Sequence, residues 1–270
     1  MFEFGAPIGP GSEGYLKLLL HSSAITEPKI KWVFILDPLT DTDAVMETLK
    51  PFSGKYRIIE SLNLPTDIHY KTYRYTSLRH GAMLDALWMA AESEITGVFD
   101  LDVAFLCQGW AQTMSAQING DTIACGSEPV IDDLWRGYPS SMACVFSKQK
   151  FLEIGASYDR TTDPEKMGGK WIDVTDENNS IWNKPVGSKV YMETGYRIPR
   201  EMARHGYRTV LLDSMRTKDP QFEFYSFKGK KMISHMTMSR QRTYNDHIHS
   251  KTWLKMVREE ALSNGVILDI

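Results

Sequence analysis

Short apolar runs alternate with stretches of helical periodicity along roughly the first hundred residues of the chain. The runs are bounded by polar or turn-forming residues, as is typical of buried strands; they are residues 2–6, 31–37, 56–60 and 97–100. Between them, apolar side chains recur every three or four positions and predict helices at residues 15–23, 44–49 and 77–94. This β-α-β alternation predicts an α/β fold with a mostly parallel central sheet flanked by helices.

The second half of the chain has a less regular pattern. The predicted strands are residues 122–126, 142–146, 209–213 and 231–235. The predicted helices are residues 151–158, 198–205 and 253–262. Residues 159–190 are rich in Gly, Asn, Asp and Lys, which predicts a long functional loop region. Trp171 and Trp182 of this region could stack on a sugar ring or pack in the core.

Two carboxylates, Asp100 and Asp102, follow the apolar run Gly97-Val98-Phe99. On a continuing strand, alternation would send both side chains to the same side. Two like charges repel each other in a partly buried place unless a cation lies between them. Mg2+ and Mn2+ prefer carboxylate oxygens and share their shell with phosphates, so a metal site is one interpretation. The other is a strand that simply ends in a polar turn.

Polar or turn-forming residues follow two more of the predicted strands. Asp37 follows the second strand, and the turn Pro7-Ile8-Gly9 follows the first. Ligands of open α/β sheets bind at the carboxyl ends of the strands, near a reversal in strand order. The sequence therefore predicts one crevice that gathers this turn, Asp37 and the Asp100–Asp102 pair.

Composition narrows the class of protein. The 270 residues are 42% hydrophobic and carry a formal net charge of -3, which supports a sizeable core and argues against a general nucleic-acid binder. The sequence shows neither a signal-peptide pattern nor an apolar run long enough to span a membrane. Its three cysteines have neither disulfide-framework nor metal-ligand spacing, which fits a reducing compartment. These features together predict a cytoplasmic protein.

Three segments in a fixed order carry a family resemblance; they are His80-Gly81-x-x-Leu84-x-x-Leu87, Gly97-Val98-Phe99-Asp100-Leu101-Asp102-Val103-Ala104-Phe105-Leu106 and Gly109-Trp110. They resemble the nucleotide-facing helix, strand, Asp-x-Asp motif and Gly-Trp of A-type glycosyltransferases, particularly the inverting family 2. The looser resemblance runs from residue 2 to about residue 240. It implies a single GT-A (Rossmann-like) domain over residues 1–270. The expected parts are a nucleotide-sugar half at about 1–120, an irregular acceptor half at about 121–245 and a C-terminal helix at 246–270.

The resemblance implies a metal site that holds Mn2+ (or Mg2+). In the family, the last acid of the Asp-x-Asp binds the metal, and the first contacts the ribose or a metal-bound water; here these are Asp102 and Asp100. Many of these enzymes supply a late histidine to the same metal, which corresponds to His235. The expected nucleotide-sugar contacts are Pro7, Gly9, Asp37, Ser77, Arg79, His80, Asp100, Leu101 and Arg240. The ordinary alternatives are a turn, a helix cap, a solvated charge or a structural histidine.

The catalytic residue implied by the resemblance is Glu193, in the segment Met192-Glu193-Thr194-Gly195-Tyr196. An inverting transfer needs a carboxylate to take the proton of the acceptor hydroxyl. The family usually has Asp at this step, so Glu193 departs from the pattern. Its alternative role is an acid favoured by the dipole of the following helix.

The function expected from the resemblance is metal-dependent transfer of a sugar, with a UDP-sugar as the expected donor, to a hydroxyl of a glycan, glycoprotein or lipid-linked acceptor. Nucleic acid is not an expected partner. The basic segment 228–258 is either a solvated face or a peripheral membrane contact. The alternatives are a non-catalytic nucleotide- or glycan-binding module of the same fold and an Mg-dependent aspartyl phosphatase. The phosphatase pattern expects Thr or Val where this chain has Ala104. A P-loop NTPase is disfavoured because its glycine-rich motif is absent from the sequence.

Overall fold

The structure is a computed structural model that describes residues 2–59, 73–127, 137–158, 171–173, 189–191, 194–195, 197–217, 222–236 and 248–269. Its helices are α1 (Glu13–Thr26), α2 (Thr42–Leu49), α3 (Tyr73–Ala90), α4 (Trp110–Ser115), α5 (Lys148–Glu153), α6 (Ile198–Arg204) and α7 (Ile248–Ser263). Its strands are β1 (Glu3–Ile8), β2 (Lys31–Leu36), β3 (Tyr56–Ile59), β4 (Ile95–Phe99), β5 (Val103–Phe105), β6 (Thr122–Ser127), β7 (Ala143–Ser147), β8 (Trp171–Asp173), β9 (Lys189–Tyr191), β10 (Arg208–Arg216), β11 (Glu223–Phe227) and β12 (Lys230–His235).

A large central sheet flanked by helices confirms the predicted α/β class. Among the described strands, ten form one sheet in the order β3-β2-β1-β4-β7-β6-β10-β11-β12-β5, and β8 pairs with β9 separately. The first four strands in this order, β3, β2, β1 and β4, are parallel to one another, as the alternation predicts. Their order reverses between β1 and β4, and the carboxyl ends of these two strands therefore border the place where such sheets bind ligands.

Beyond β4, the sheet is more antiparallel than expected. β7 runs antiparallel to both β4 and β6, and β10, β11, β12 and β5 are antiparallel in turn. The pair of β6 with β10 is parallel. A parallel pair needs a long crossover, whereas only Lys228 and Gly229 separate β11 from β12. Both have positive φ, at 51° and 78°, which suits a tight hairpin turn.

Several boundaries differ from the predicted ones. Helix α3 begins at Tyr73, before the predicted start, and ends at Ala90. Helix α2 begins at Thr42, two residues before the predicted start, because the Asp41 side chain caps it by accepting hydrogen bonds from the backbone N–H groups of Asp43 and Ala44. The predicted loop region at 159–190 contains β8 and most of β9, and its other residues, Trp182 included, lie outside the described part of the chain.

Helix α3 lies directly on the first strand. The predicted apolar stripe is buried; it comprises Met83, Leu84, Leu87, Trp88 and Ala91. A Cβ atom on Gly5 of β1 would lie 2.7 Å from Leu87 Cβ, so the close approach requires glycine there. Because α3 connects two parallel strands, its N-terminal half lies toward the carboxyl edge of the sheet. This packing fixes the position of His80 relative to the carboxyl ends of the strands.

An aromatic cluster supports the turn between β4 and β5. The rings of Phe105 and Trp110 stack with centroids 3.8 Å apart, and Phe99 contacts both of them edge-on. Phe99 immediately precedes the turn and Phe105 lies on β5 just after it. The backbone on both sides of Asp100–Asp102 is therefore anchored in the core. The three cysteines, Cys107, Cys125 and Cys144, are free and buried.

An ion pair near the amino ends of the parallel strands predicts that the stability of the fold falls at acid pH. Glu3 is 7% exposed and accepts hydrogen bonds from Arg57 Nε at 2.9 Å and Nη2 at 3.1 Å. Burial opposes ionisation of Glu3, but Arg57 and the Glu92 N–H outweigh it and hold the pKa of Glu3 below its ordinary 4.5. The stabilisation is therefore present above pH 4.5 and is lost as the pH falls below it.

We expect Glu3→Gln to lower the free energy of unfolding at pH 7 by about 1–3 kcal/mol, because it leaves Arg57 without its charged partner. The difference from the wild type should shrink at about pH 3.5, measured by urea unfolding at both pH values. Glu47→Gln is the matched control, since Glu47 pairs with Lys50 on the surface with its side chain 78% exposed. An equal loss of stability at both pH values would contradict the expected protonation of Glu3.

Candidate functional site

Asp100, Leu101 and Asp102 form a tight turn between β4 and β5, so the strand alternation that first linked the two acids does not apply. The Asp100 N–H donates to Met142 O at 3.0 Å, and the Met236 N–H donates to Asp102 O at 3.0 Å. Leu101 packs its side chain into the core and is 7% exposed. The turn, and not the pleat of a strand, therefore brings the two carboxylates together.

The structure brings His235 to these two acids. One ligand atom from each of Asp100, Asp102 and His235 lies within 4.8 Å of the other two. His235 Nε2 lies 3.4 Å from Asp102 Oδ1. The cause is sheet pairing, since β12 is antiparallel to β5 with His235 opposite Val103. Three residues that were predicted as metal ligands from distant parts of the sequence thus form one cluster, called the acid–histidine cluster below.

A buried glutamate lies behind His235. His235 Nδ1 lies 3.1 Å from Glu223 Oε2, and Glu223 is 1% exposed. Glu223 Oε1 accepts hydrogen bonds from Arg216 Nε at 3.1 Å and Nη2 at 2.7 Å. The Tyr225 hydroxyl donates to Glu223 Oε2 at 2.5 Å. Glu223 therefore holds one ring nitrogen of His235, while the other faces Asp102.

The pKa values follow from these contacts. Burial opposes ionisation of Glu223, but His235, Tyr225 and Arg216 outweigh it and lower the pKa of Glu223 to about 2. Burial likewise opposes charging of His235, but the carboxylates of Asp102 and Glu223 raise its pKa to about 10. The carboxylates of Asp102 and Glu223 therefore stabilise a positive charge that lies between them. A site that stabilises one positive charge in this way is suited to a cation.

The donor set fits a divalent cation. Carboxylates are the ligands that Mg2+ and Mn2+ prefer, and an imidazole suits Mn2+ better than Mg2+. Ligands on opposite sides of an ion, with bonds of about 2.1 Å, lie about 4.2 Å apart, close to the observed spread. Asp102 and His235 are 6% and 5% exposed, whereas Asp100 is more open. The cluster therefore has a buried floor and an accessible side.

Helix α3 adds a second imidazole beside the cluster. His80 Nε2 lies 3.3 Å from Asp100 Oδ1, with 14% of the His80 side chain exposed. Because the helix begins at Tyr73, Ser77, Arg79 and His80 lie in its second and third turns. They therefore lie inside the helix and not at its N-terminus, where the predicted start at residue 77 would have placed them. Their contact with a nucleotide sugar stays a prediction.

The turn after β1 and the acid after β2 lie at the same edge of the sheet. The Asp37 N–H donates to Ile8 O at 2.8 Å, and Asp37 Oδ1 accepts from the Leu39 N–H at 3.0 Å. Pro7 belongs to β1, and Gly9 follows it with open space around the position of a Cβ atom. Asp37 thus stabilises its own turn, and binding of a base by Asp37, Pro7 and Gly9 stays a prediction.

The predicted base Glu193 and the predicted phosphate contact Arg240 lie outside the described residues. The two residues after Glu193 are described, and the Gly195 N–H donates to Tyr158 O at 3.0 Å. The Tyr158 N–H donates in turn to Asp85 Oδ1 on α3 at 2.8 Å. The segment that follows Glu193 is thereby tied to the same helix that carries His80. Helix α6 ends at Arg204, one residue before the predicted end, and Gly206 follows with φ 72°, a conformation that favours glycine after a helix.

Sequence reasoning missed Glu223 because it missed β11. A signal was present in Lys228-Gly229, which is a turn-forming pair between two short alternating segments. A hairpin at this place would have brought a residue near Glu223 opposite the last strand. Glu223 itself could not be chosen in this way, because the register of the hairpin is irregular.

In the part of the chain that the structure describes, every helix is too short or too polar to cross a bilayer.

No family model matches the sequence, and no curated protein matches it. Among solved structures, the chain is similar to the mannosyltransferase PcManGT from Pyrobaculum calidifontis in complex with GDP-Man and Mn2+. The identity is 13% and the TM-score 0.49, with 78% of this chain and 54% of that chain covered.

The chain is also similar to S. aureus TarS 1-349 in complex with UDP, at 16% identity and a TM-score of 0.42, covering 58% of this chain and 49% of that one. A third similar structure is the galactosyltransferase LgtC in complex with donor and acceptor sugar analogues, at 12% identity and a TM-score of 0.40, covering 76% and 69%. The chain spans about half the length of PcManGT and of this TarS fragment. At these values no residue's role is transferred from them to this chain.

Proposed function

We propose that this protein is a metal-dependent glycosyltransferase that moves a sugar from a nucleoside-diphosphate sugar to a hydroxyl group. The observation that carries the proposal is the acid–histidine cluster at the carboxyl edge of the sheet, beside the reversal of strand order between β1 and β4. Ligands of open α/β sheets bind at this place. A cation site there is suited to a diphosphate, because hard cations share their shell with phosphate oxygens.

Asp100, Asp102 and His235 would hold Mn2+ (or Mg2+). When bound, the ion would offset negative charge on the diphosphate as the nucleotide leaves. The residues of the chain have distinct tasks around it. Asp102 and His235, both buried, form the fixed floor of the site, while the more exposed Asp100 faces His80 and the open side.

Inversion at the anomeric carbon is the mechanism we propose, with Glu193 as general base. The acceptor oxygen forms a bond to the anomeric carbon as the bond from that carbon to the diphosphate oxygen breaks. The electron pair leaves with the nucleoside diphosphate, and the hydroxyl proton passes to the Glu193 carboxylate. The anchoring of Gly195 to Tyr158 supports this role, since it ties the neighbouring segment to α3, the helix that carries His80.

The proposed donor is a UDP-sugar and the proposed acceptor a glycan, glycoprotein or lipid-linked sugar. The proposal also includes peripheral membrane contact through the basic segment 228–258. Lys231 is paired with Glu260, and Lys255 lies 3.8 Å from Glu259, so acids neutralise part of this charge. The lysines at the hairpin turn, Lys228 and Lys230, are exposed and would supply the remaining attraction to an anionic surface.

Calorimetric titration with UDP, GDP, CDP and TDP, each with and without Mn2+, tests the proposal. We expect one nucleotide to bind with micromolar affinity in Mn2+, and at least about tenfold more weakly without it, because the ion bridges protein and diphosphate. Binding without metal dependence would favour a nucleotide-binding module. Failure of all four nucleotides under both conditions would overturn the proposal, and phosphatase assays with Mg2+ would then test the alternative enzyme.

A further inference from the structure

The buried carboxylate of Glu223 accepts hydrogen bonds at both of its oxygen atoms. Two guanidinium N–H groups of Arg216 donate to Oε1, while the Tyr225 hydroxyl and His235 Nδ1–H donate to Oε2. These donors come from β10, β11 and β12, so three adjacent strands orient one side chain. A carboxylate held by four donors cannot rotate without losing some of them, and its orientation is therefore fixed.

A buried ion pair is a poor way to stabilise a hairpin, because removing the charges from water offsets most of their attraction. The Arg216 side chain is 38% exposed and does not itself require a buried partner, whereas Glu223 is 1% exposed. The contact with His235 is different, because His235 belongs to the acid–histidine cluster. The need to hold the His235 ring therefore explains why the Glu223 carboxylate is buried within the sheet.

We propose that Glu223 is a positioning residue of the cation site: by accepting the Nδ1–H of His235, it keeps Nδ1 protonated and leaves Nε2 as the nitrogen that faces the acids of the cluster and would bind the cation. The inference rests on the proposed function only in that the cluster binds a divalent cation. An imidazole can bind a metal through either nitrogen, and the hydrogen bond of the other nitrogen decides which one. The hydrogen bond from Nδ1–H to Glu223 therefore leaves Nε2 as the nitrogen of His235 that would bind the cation.

An irregularity in the hairpin makes the contact possible. With two residues in the turn, regular pairing from Phe227–Lys230 onward would place Glu223 opposite Ser234. The observed register shifts after Ser226–Lys231, so that Met232 is the extra residue and Glu223 lies opposite His235. Ser234 instead accepts a hydrogen bond from Trp253 Nε1 of α7 at 2.8 Å. The bulge therefore re-aims the histidine toward its acid, as bulges near functional sites commonly do.

The test is Mn2+ affinity of the full chain without nucleotide, measured from the free-ion signal in electron paramagnetic resonance. We expect Glu223→Gln to weaken Mn2+ binding about 10–100-fold, the usual effect of losing the partner of a metal-binding histidine. The glutamine has one acceptor oxygen, so either Arg216 or His235 faces an N–H2 group. Glu260→Gln is the matched control, since Glu260 pairs with Lys231 of the same hairpin and is not a member of the cluster. The Mn2+ affinity of this variant should stay near the wild-type value.

A second readout does not depend on any variant. In the Zn2+-loaded wild type, with Zn2+ as a diamagnetic probe, 15N spectra of the histidine rings should show His235 protonated at Nδ1 and bound through Nε2. Ligation through Nδ1, or a proton on Nε2, would overturn the inference even if Glu223→Gln failed to fold. Wild-type Mn2+ affinity in folded Glu223→Gln would overturn it as well. If Asp102→Asn and the wild type bound Mn2+ equally, the cation site itself, and with it the proposed function, would be wrong.

Discussion

Replacing Asp102 by Asn should abolish Mn2+-dependent nucleotide binding. The amide has the shape of the carboxylate but not its charge, and Asp102 contributes one of the two carboxylates of the acid–histidine cluster. Losing the partner of a metal ligand typically costs 10–100-fold in affinity, so losing a charged ligand should cost more than about 100-fold. Calorimetric titration of the nucleotide identified for the wild type, with and without Mn2+, measures the loss.

The fold should survive this change. The backbone carbonyl of Asp102 keeps its hydrogen bond from the Met236 N–H, and the aromatic cluster around Phe99 and Phe105 is untouched. Asp213→Asn is the matched control, because it makes the same change at an exposed position on β10. Nucleotide binding that kept its Mn2+ dependence in Asp102→Asn would show that the metal is held by other residues.

Replacing Glu193 by Gln should leave donor binding nearly intact and remove transfer. A general base contributes about 10²–10⁴-fold to such a reaction, and the amide of Gln cannot accept the hydroxyl proton. The measurement is the release of nucleoside diphosphate from the donor in the presence of a panel of glycan acceptors, with donor affinity measured separately. A large fall in rate at unchanged affinity is the expected combination.

Glu201→Gln provides the comparison for Glu193, because Glu201 lies in the first turn of α6 and pairs with Arg204. It changes the charge of the same region without a predicted role in proton transfer. The product anomer gives an independent check by nuclear magnetic resonance. Retention of configuration at the anomeric carbon would rule out direct displacement with Glu193 as base, whatever the rates of the variants.

The first half of the fold could be predicted because its signals are local. Strands β1 to β4 are short apolar runs separated by helices with a clear periodicity, and parallel pairing follows from that alternation. The edge of the sheet that gathers Asp37 and Asp100 follows from the same rule. The start of α3 was less accurate, because Thr72, Thr76 and Ser77 are all residues that commonly cap a helix, and the sequence does not single out one of them.

The rest depends on contacts between distant parts of the chain. Alternation along one strand was the argument for pairing Asp100 with Asp102, yet a turn brings them together. Antiparallel pairing of β5 with β12 then places His235, and a bulge at Met232 places Glu223. A shift of one residue in register sends a side chain to the opposite face of a sheet. Hydrophobic periodicity does not contain that information.

The pairing of β5 with β12 has a consequence for how the protein reaches its native state. Asp102 and His235 meet only when a loop of about 130 residues has closed, and such closure carries an entropy cost that contacts near in sequence do not. The parallel half can form earlier from local β-α-β units. A chain stopped before β12 would lack the third ligand, however well that half had folded. Cation binding should therefore mark the end of folding, when the last hairpin has docked.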